Sequence, residues 1–400
     1  MIMKKLLRSS SLAAAALILM MPAGWGLSST QTSAAAAAAP APCGSGDHGL
    51  LQQEQKQHMG EGADPLHFTD IQFLNGSTGR AAGTGFMIGT SDAGCHWQEI
   101  YTGKWNFAQI QFTDNVNGWA IATLPSHQTT HLLKTVDGGS HWKQVYTANL
   151  PFNRLEALGK NTAYGYTQNS AYRTENGGNS WVKIPTPANT RYATFRDKNN
   201  GYVLVVVPGS GYKVLGTADG GHSWSTKLNV KFDSPYPAGG QIYSKDNQVW
   251  ALFYGGSGMS QVSYSLYGST DQGVHWKRVI AQSTAGGGPA PGGGPEVVNQ
   301  GPAQPGGHPG NMQLIGQETA FLSGGSPAGG MVSVGVTYNG GKTWKNVKPS
   351  INGYDSRISF TDGKTGWLVV TSATKSSIYA THDGGASWNR KFAFKEALNP

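Results

Sequence analysis

Short runs in which apolar and polar residues alternate, each closed by an Asp, Asn or Gly turn, recur along almost the whole chain. Ile110-Gln111-Phe112-Thr113-Asp114 is followed by Gly118-Trp119-Ala120-Ile121-Ala122, and Ile358-Ser359-Phe360-Thr361-Asp362 by Gly366-Trp367-Leu368-Val369-Val370. Ile71-Gln72-Phe73-Leu74-Asn75 opens the series in the same way. A period of two marks strands with one face buried, and the polar punctuation marks tight turns.

Each pair of strands leads, after a third, into an eight-residue motif, Ser/Thr-x-Asp/Asn-x-Gly-x-x-Trp. It occurs as Thr90, Asp92, Gly94, Trp97; as Thr135, Asp137, Gly139, Trp142; and as Thr174, Asn176, Gly178, Trp181. Four further copies are Thr217, Asp219, Gly221, Trp224; Ser269, Asp271, Gly273, Trp276; Thr337, Asn339, Gly341, Trp344; and Thr381, Asp383, Gly385, Trp388. The acid or amide is expected to fold back onto backbone N–H groups, the hydroxyl to support it, and Gly to supply a positive φ. The tryptophan then starts the next strand and buries its ring between neighbouring units. These roles are structural, not catalytic.

Successive tryptophans are 45, 39, 43, 52, 68 and 44 residues apart, near the length of one four-stranded propeller blade. The reading is all-β: a seven-bladed β-propeller, four antiparallel strands per blade, with an Asp box in each c–d turn. Blades are expected at about 68–103, 105–148, 152–187, 191–230, 240–282, 311–348 and 355–394, making one domain over 67–394 behind a tail at 40–66. Strand a starts near His67-Phe68 and strand d ends near Phe394, so the ring is expected to close by packing, with 44–66 as an alternative closing strand. A Gly/Pro-rich insertion, 285–310, separates the fifth and sixth units and reads as a mobile excursion that buries little apolar area.

The coupling of Phe-Thr-Asp-x-x-x-Gly-Trp with Thr-x-Asp-Gly-Gly-x-x-Trp resembles the photosystem II stability/assembly factor family, within the bacterial neuraminidase repeat superfamily and including its non-photosynthetic relatives. The resemblance covers about 68–394. It implies a seven-bladed propeller that binds assembly intermediates.

Sialidases and xyloglucan-cleaving glycosidases share the box, so an enzyme is the competing reading. Retaining and inverting glycosidases usually need two facing carboxylates, and sialidases an arginine triad. Asp114, Asp197, Asp246, Glu318 and Asp362 fall in a–b turns on the box face. On the other face only Glu156, Asp233, Glu296 and Asp355 are placed near loops, without a pairing pattern. The histidines are scattered: His96, His141, His222 and His275 sit in boxes, and His127 and His131 in an expected loop. No metal, cofactor or nucleophile elbow is expected.

Composition agrees with many short strands: 57 of 400 residues are Gly and 13% are charged. The N-terminus, with Lys4, Lys5 and Arg8 before an apolar run Leu12–Met21 and a string of alanines, reads as an export signal over 1–39. Cleavage is favoured over retention as an anchor, because the apolar run falls short of a comfortable span of about 20 residues. Without the three signal cations the net charge falls from +8 to +5, with no Lys/Arg cluster of the kind that binds nucleic acid. The two cysteines, Cys43 and Cys95, are expected to pair; free thiols and lipidation of Cys43 are the alternatives.

Arg154, Arg191 and Arg357 each fall at the start of a strand a, where they would gather at one mouth of the channel and bind an acidic partner. Tyr212, Tyr236, Tyr254 and Tyr354 are candidate rim aromatics. The functional expectation is an exported, monomeric, non-enzymatic scaffold for a protein partner or envelope polymer. A secreted carbohydrate-active enzyme or lectin is the alternative.

Overall fold

The computed structural model describes Cys43 and residues 50–51, 66–125, 127–145, 150–234, 237–293, 298–302, 307–347, 350–373 and 376–394. The expected signal 1–39, most of the tail, Tyr236 and Glu296 lie outside these. The chain divides into a unit 1–42 and a unit 43–400, and the second is described here.

The described residues form strands and no helix. Strands β1 (Phe68–Phe73), β2 (Gly79–Thr90), β3 (Gln98–Phe112), β4 (Gly118–Leu124), β5 (His127–Thr135) and β6 (Lys143–Gln144) make one six-stranded antiparallel sheet. Five four-stranded sheets follow. They are β7 (Arg154–Ala157), β8 (Ala163–Tyr166), β9 (Ala171–Thr174) and β10 (Val182–Ile184); β11 (Thr190–Phe195), β12 (Gly201–Val207), β13 (Gly211–Thr217) and β14 (Ser225–Lys231); and β15 (Gly240–Lys245), β16 (Gln248–Gly258), β17 (Gln261–Ser269) and β18 (Lys277–Gln282). The last two are β19 (His308–Ile315), β20 (Thr319–Ser326), β21 (Met331–Thr337) and β22 (Lys345–Val347); and β23 (Asp355–Phe360), β24 (Gly366–Thr371), β25 (Ser376–Thr381) and β26 (Asn389–Ala393).

Seven repeats thus give six hydrogen-bonded blades, not the seven expected. The cause is local. β3 pairs with β2 from Gln98 to Asn106 and with β4 from Asn106 to Phe112, so strand d of the first repeat runs unbroken into strand a of the second. β2 likewise pairs with β1 over 79–83 and with β3 over 84–89. It doubles back at Gly83-Thr84-Gly85, where Gly85 has φ +79°, bringing the Gly79 carbonyl to 3.5 Å from the Cβ position of Gly89. The first blade therefore holds two boxes. An apolar layer around Met87, Trp105, Phe107, Ile110 and Leu133 lies within this sheet, and six more layers join it to the other sheets and the sheets to one another.

In each motif the hydroxyl and the acid lock the turn. Thr90 Oγ1 donates to Asp92 Oδ1 at 2.9 Å and accepts from Gly94 N at 3.0 Å, while Asp92 Oδ1 accepts from His96 N at 2.9 Å. The same bonds recur at Asp137, Asp219, Asp271 and Asp383, and Asn176 and Asn339 make them with an amide oxygen. The motif glycines take φ between +80° and +103°, a region where a side chain is strained.

The second residue of strand b ties neighbouring repeats together. Trp119 Nε1 donates to Gly159 O at 3.2 Å, Tyr164 Oη to Asp197 O at 2.9 Å, Tyr202 Oη to Gln272 O at 3.0 Å, and Trp367 Nε1 to Ala93 O at 3.0 Å. Arg80 fills the same position in the first repeat. It donates to Gly138 O and Asn115 O and lies 4.3 Å above the Phe112 ring. In these five of the seven repeats the side chain at this position anchors a turn or box of the next repeat, whereas the indole of Trp250 bonds Gln248 of its own strand.

The last and first sheets meet by packing, without exchange of a strand. Trp367 stacks on Phe73 with centroids 3.4 Å apart, and Phe68 stacks on Phe394 at 5.0 Å. Leu51 and Leu66 of the tail join this seam at 2% and 4% exposure. The described parts of the Gly/Pro tract are packed, where a free excursion was expected. Gly286 and Gly287 lie against the backbone of Gly258 and Gly256, Gly292 N donates to Lys231 O at 2.7 Å, and Asn299 pairs in parallel with Ile280. Glycine is what permits this backbone-on-backbone contact.

Candidate functional site: the central channel

The innermost strands β1, β3, β7, β11, β15, β19 and β23 surround a central channel. Its two halves are cavities of about 500 and 510 Å³ that share Gln111, Glu156, Tyr192, Tyr243, Met312 and Gln313. Every strand a contributes a polar i, i+2 pair: Asp70 and Gln72, Gln109 and Gln111, Arg154 and Glu156, Tyr192 and Thr194, Gln241 and Tyr243, Asn311 and Gln313, Arg357 and Ser359.

These pairs act chiefly as stitches. A side-chain amide carries one acceptor and one donor group, as a peptide does, and so can bridge strands whose backbones do not pair. Gln109 accepts from Leu155 N at 2.8 Å and donates to Leu155 O at 2.9 Å. Gln72 does the same to Phe112, Asn311 to Ile358 and Gln313 to Phe360. Asp70 accepts from Ile71 N at 3.0 Å and Ile110 N at 2.9 Å. Burial pushes its carboxyl up, opposed by the charge of Arg357 and by those two N–H groups.

The Arg154–Glu156 pair is the most elaborate part of the wall. The two side chains are 2.5 Å apart, and the Arg154 guanidinium lies 3.7 Å from the Tyr166 ring and 4.0 Å from the Tyr192 ring. Arg154 also donates to Ala193 O. Glu156 accepts from Tyr166 Oη at 2.5 Å and Phe195 N at 3.2 Å. Against the cost of burial, Tyr192 and the Glu156 carboxylate keep the arginine protonated. The phenols of Tyr166 and Tyr192 are pushed up, chiefly by burial.

Arg154 and Arg357 line the same half of the channel, whereas Arg191 lies in a neighbouring cavity that Arg154 also reaches. Arg191 and Arg357 are exposed; Arg154 is engaged internally. Glu156, read from sequence as lying near a loop, is inside β7 and faces the channel. Tyr212, expected on the rim, is buried at 2% exposure; it donates to Tyr254 O, and burial pushes its phenol up to about 12. Tyr254 and Tyr354 are half-buried.

Sequence reasoning missed Asp70, Tyr192, Tyr243 and the amide stitches. The signal was present as the polar half of the period-two pattern in each strand a. It also missed the exposed apolar tips on the face opposite the boxes, Met259 at 80% and Met331 at 47% exposure.

Away from the channel, Cys43 and Cys95 are joined, with Cα atoms 4.7 Å apart. Asp92, Cys95 and His96 present three potential metal-ligand atoms within 4.8 Å of one another. The disulfide occupies Cys95, and the His96–Asp92 contact of 2.6 Å recurs at His141–Asp137 and His275–Asp271, where no cysteine is present. It is therefore a feature of the turn.

No protein-family profile and no curated protein matches the chain. Solved structures do. YCF48 bound to D1 peptide aligns with 80% of this chain and 92% of its own, at 17% identity and a TM-score of 0.50. The GH74 xyloglucanase from Xanthomonas campestris aligns with 82% of this chain at 13% identity and a TM-score of 0.54, and a prolyl endopeptidase with 84% at 11% and 0.52. The chain spans about half the length of each of these two enzymes (54% and 51%). At these identities the likeness is one of fold: the chain is similar to β-propellers that include a peptide-bound one and two enzymes.

Proposed function

We propose that this propeller is an exported, non-enzymatic scaffold that binds a protein partner on the face opposite the Asp boxes. The observation that carries the reading is how the two carboxylates of the strand-a pairs, Asp70 and Glu156, are spent; the other acid lining the channel, Asp246, lies in the turn between β15 and β16. Both oxygens of Asp70 and both of Glu156 accept hydrogen bonds from the fold itself. A general acid or base must reach the proton it moves, and each bond that these oxygens accept from the fold competes with that role. The likeness to YCF48 bound to D1 peptide, and the family resemblance read in the sequence, support a peptide or protein ligand. Export follows from the N-terminal reading and accords with a disulfide between Cys43 and Cys95.

The second reading, a carbohydrate-active propeller, is favoured by the likeness to the xyloglucanase. One assay separates the two. Purified protein incubated with xyloglucan, other β-glucans and sialosides is expected to release no reducing ends and no sialic acid. Turnover that copurifies with the protein and is abolished by Asp70→Asn or by Asp246→Asn, with the melting temperature preserved, would overturn the scaffold reading.

A further inference from the structure

The third repeat is the shortest: 39 residues separate Trp142 from Trp181. Its strands β7 to β10 have four, four, four and three residues, against six, seven, seven and seven in β11 to β14 beside it. A notch opens where the short b–c turn of the third repeat meets the entry to the fourth. Two cavities, of about 590 and 290 Å³, share Gln168, Asn169, Ser170, Thr190 and Arg191. The inner one shares Asn153, Arg154 and Tyr192 with the central channel. Together they make a groove that runs from the rim to the channel, with volumes in the range of ligand sites, about 300–1,000 Å³.

The walls have a consistent chemistry. Gln168, Asn169, Ser170 and Asn189 offer amides and hydroxyls, and Lys183 and Arg191 are exposed cations. Arg191 makes one long contact, to Thr190 O at 3.5 Å. No Asp or Glu lines either cavity among the described residues. The apolar lining of the outer cavity is Pro185, Pro187 and Ala188; the inner one adds Tyr166 and Tyr192, whose ring faces are covered by the Arg154 guanidinium at 3.7 and 4.0 Å, so neither offers an open aromatic or branched pocket of the kind that anchors a peptide side chain. Amides suit hydroxyls, and the guanidinium suits carboxylates in a paired geometry.

We propose that this notch binds an acidic polysaccharide, a chain of hydroxyl-rich sugars carrying carboxylates. The notch lies beside a b–c turn, on the same face as the protein-binding reading, and would tether the scaffold to an anionic polymer.

The test is calorimetric titration of the full, disulfide-intact protein with hexagalacturonate at low salt. Parallel titrations use its methyl-esterified neutral form and a poly-L-glutamate of matched charge. Wild type is expected to bind hexagalacturonate at least tenfold more tightly than either control. Lys183→Ala/Arg191→Ala is expected to weaken binding tenfold or more, and Gln168→Ala/Asn169→Ala severalfold, with melting temperatures unchanged because all four side chains are exposed. The proposal is overturned if hexagalacturonate does not bind, or if the double variants bind it as wild type does. Equally tight binding of poly-L-glutamate also overturns it and makes the occupant an acidic peptide. Absence of hexagalacturonate binding does not bear on capture of a protein partner.

Discussion

Trp367 is the side chain on which closure of the ring depends most, and its removal has a calculable cost. The residue is fully buried, stacks on Phe73 at 3.4 Å with 2° between the planes, and donates to Ala93 O at 3.0 Å across the seam between last and first sheets. A buried tryptophan removes about 150–250 Å² from water, worth roughly 4–6 kcal/mol at 25 cal/mol per Å². Measured Trp→Ala changes in cores cost about 3–5 kcal/mol. Trp367→Phe keeps most of the stacking but leaves the Ala93 carbonyl without its donor, a loss of about 1–3 kcal/mol. In a protein of this size Trp367→Ala is expected to lower the melting temperature by about 4–7 °C, and Trp367→Phe by a smaller but resolvable amount. Scanning calorimetry with urea titration reads both. Limited proteolysis of Trp367→Ala is expected to cut first near the seam, around Leu66–Phe68 or Phe392–Phe394, whereas Trp250→Ala, with its indole bonded to Gln248 in the middle of the ring, is not. A melting point within 2 °C of wild type for Trp367→Ala, or identical cleavage patterns for the two alanine variants, would refute the claim that packing of this residue closes the ring.

Other expectations follow from the channel wall, the boxes and the tail. Arg154→Met or Glu156→Gln strands a half-buried partner, the two side chains being 20% and 22% exposed, and is expected to cost about 1–3 kcal/mol by urea midpoint; no measurable loss would show the pair to be solvated. Partial burial would raise the carboxyls of Asp137 and Asp271, yet hydrogen bonds from the backbone and hydroxyls of their boxes hold both down to about 2. The Ser387 hydroxyl and N–H hold Asp383 to about 2. Folded values below the ordinary 3.8 mean a stabilisation present above about pH 4 and lost as pH falls towards 2. The gap in melting temperature between wild type and Asp137→Asn/Asp271→Asn/Asp383→Asn is therefore expected to shrink over that window; a constant gap contradicts it. Intact mass of the unreduced protein after alkylation is expected to show no modified thiol, and Cys43→Ser to lower stability by up to roughly 4 kcal/mol for a 52-residue separation. Two alkylated cysteines would refute the pairing.

The strands and their grouping were legible because the period of two and the turn residues are local properties. Gly118-Trp119 and Gly366-Trp367 announced strand b, while the bond that each indole makes to the next repeat appears only in the structure. The six-sheet count was not legible, because it depends on the absence of a break: with only Lys104 between the expected end of one unit and the start of the next, β3 continues through both. The stitches were visible but unread. Gln109 and Gln111 look like the outward half of an amphipathic strand, and only the ring geometry turns that half inward. Glu156 was displaced into a loop because the third repeat is short. Tyr212 was read as rim because burial of a long strand end depends on the neighbouring sheet. The Gly/Pro tract looked free because its partners, Gly256 and Gly258, carry no apolar signal.

The central claim is that a protein partner binds the face opposite the boxes, and paired surface variants test it most directly. Tagged wild type, Met259→Glu/Arg357→Glu on the proposed face, and Val136→Glu/Val274→Glu on the box face would be cross-linked in cells of the native host and recovered for quantitative mass spectrometry. All four positions are exposed. The account predicts one stoichiometric protein partner that is retained by the box-face variant and lost by the other. Loss on the box-face variant alone, or equal recovery with both, would contradict it.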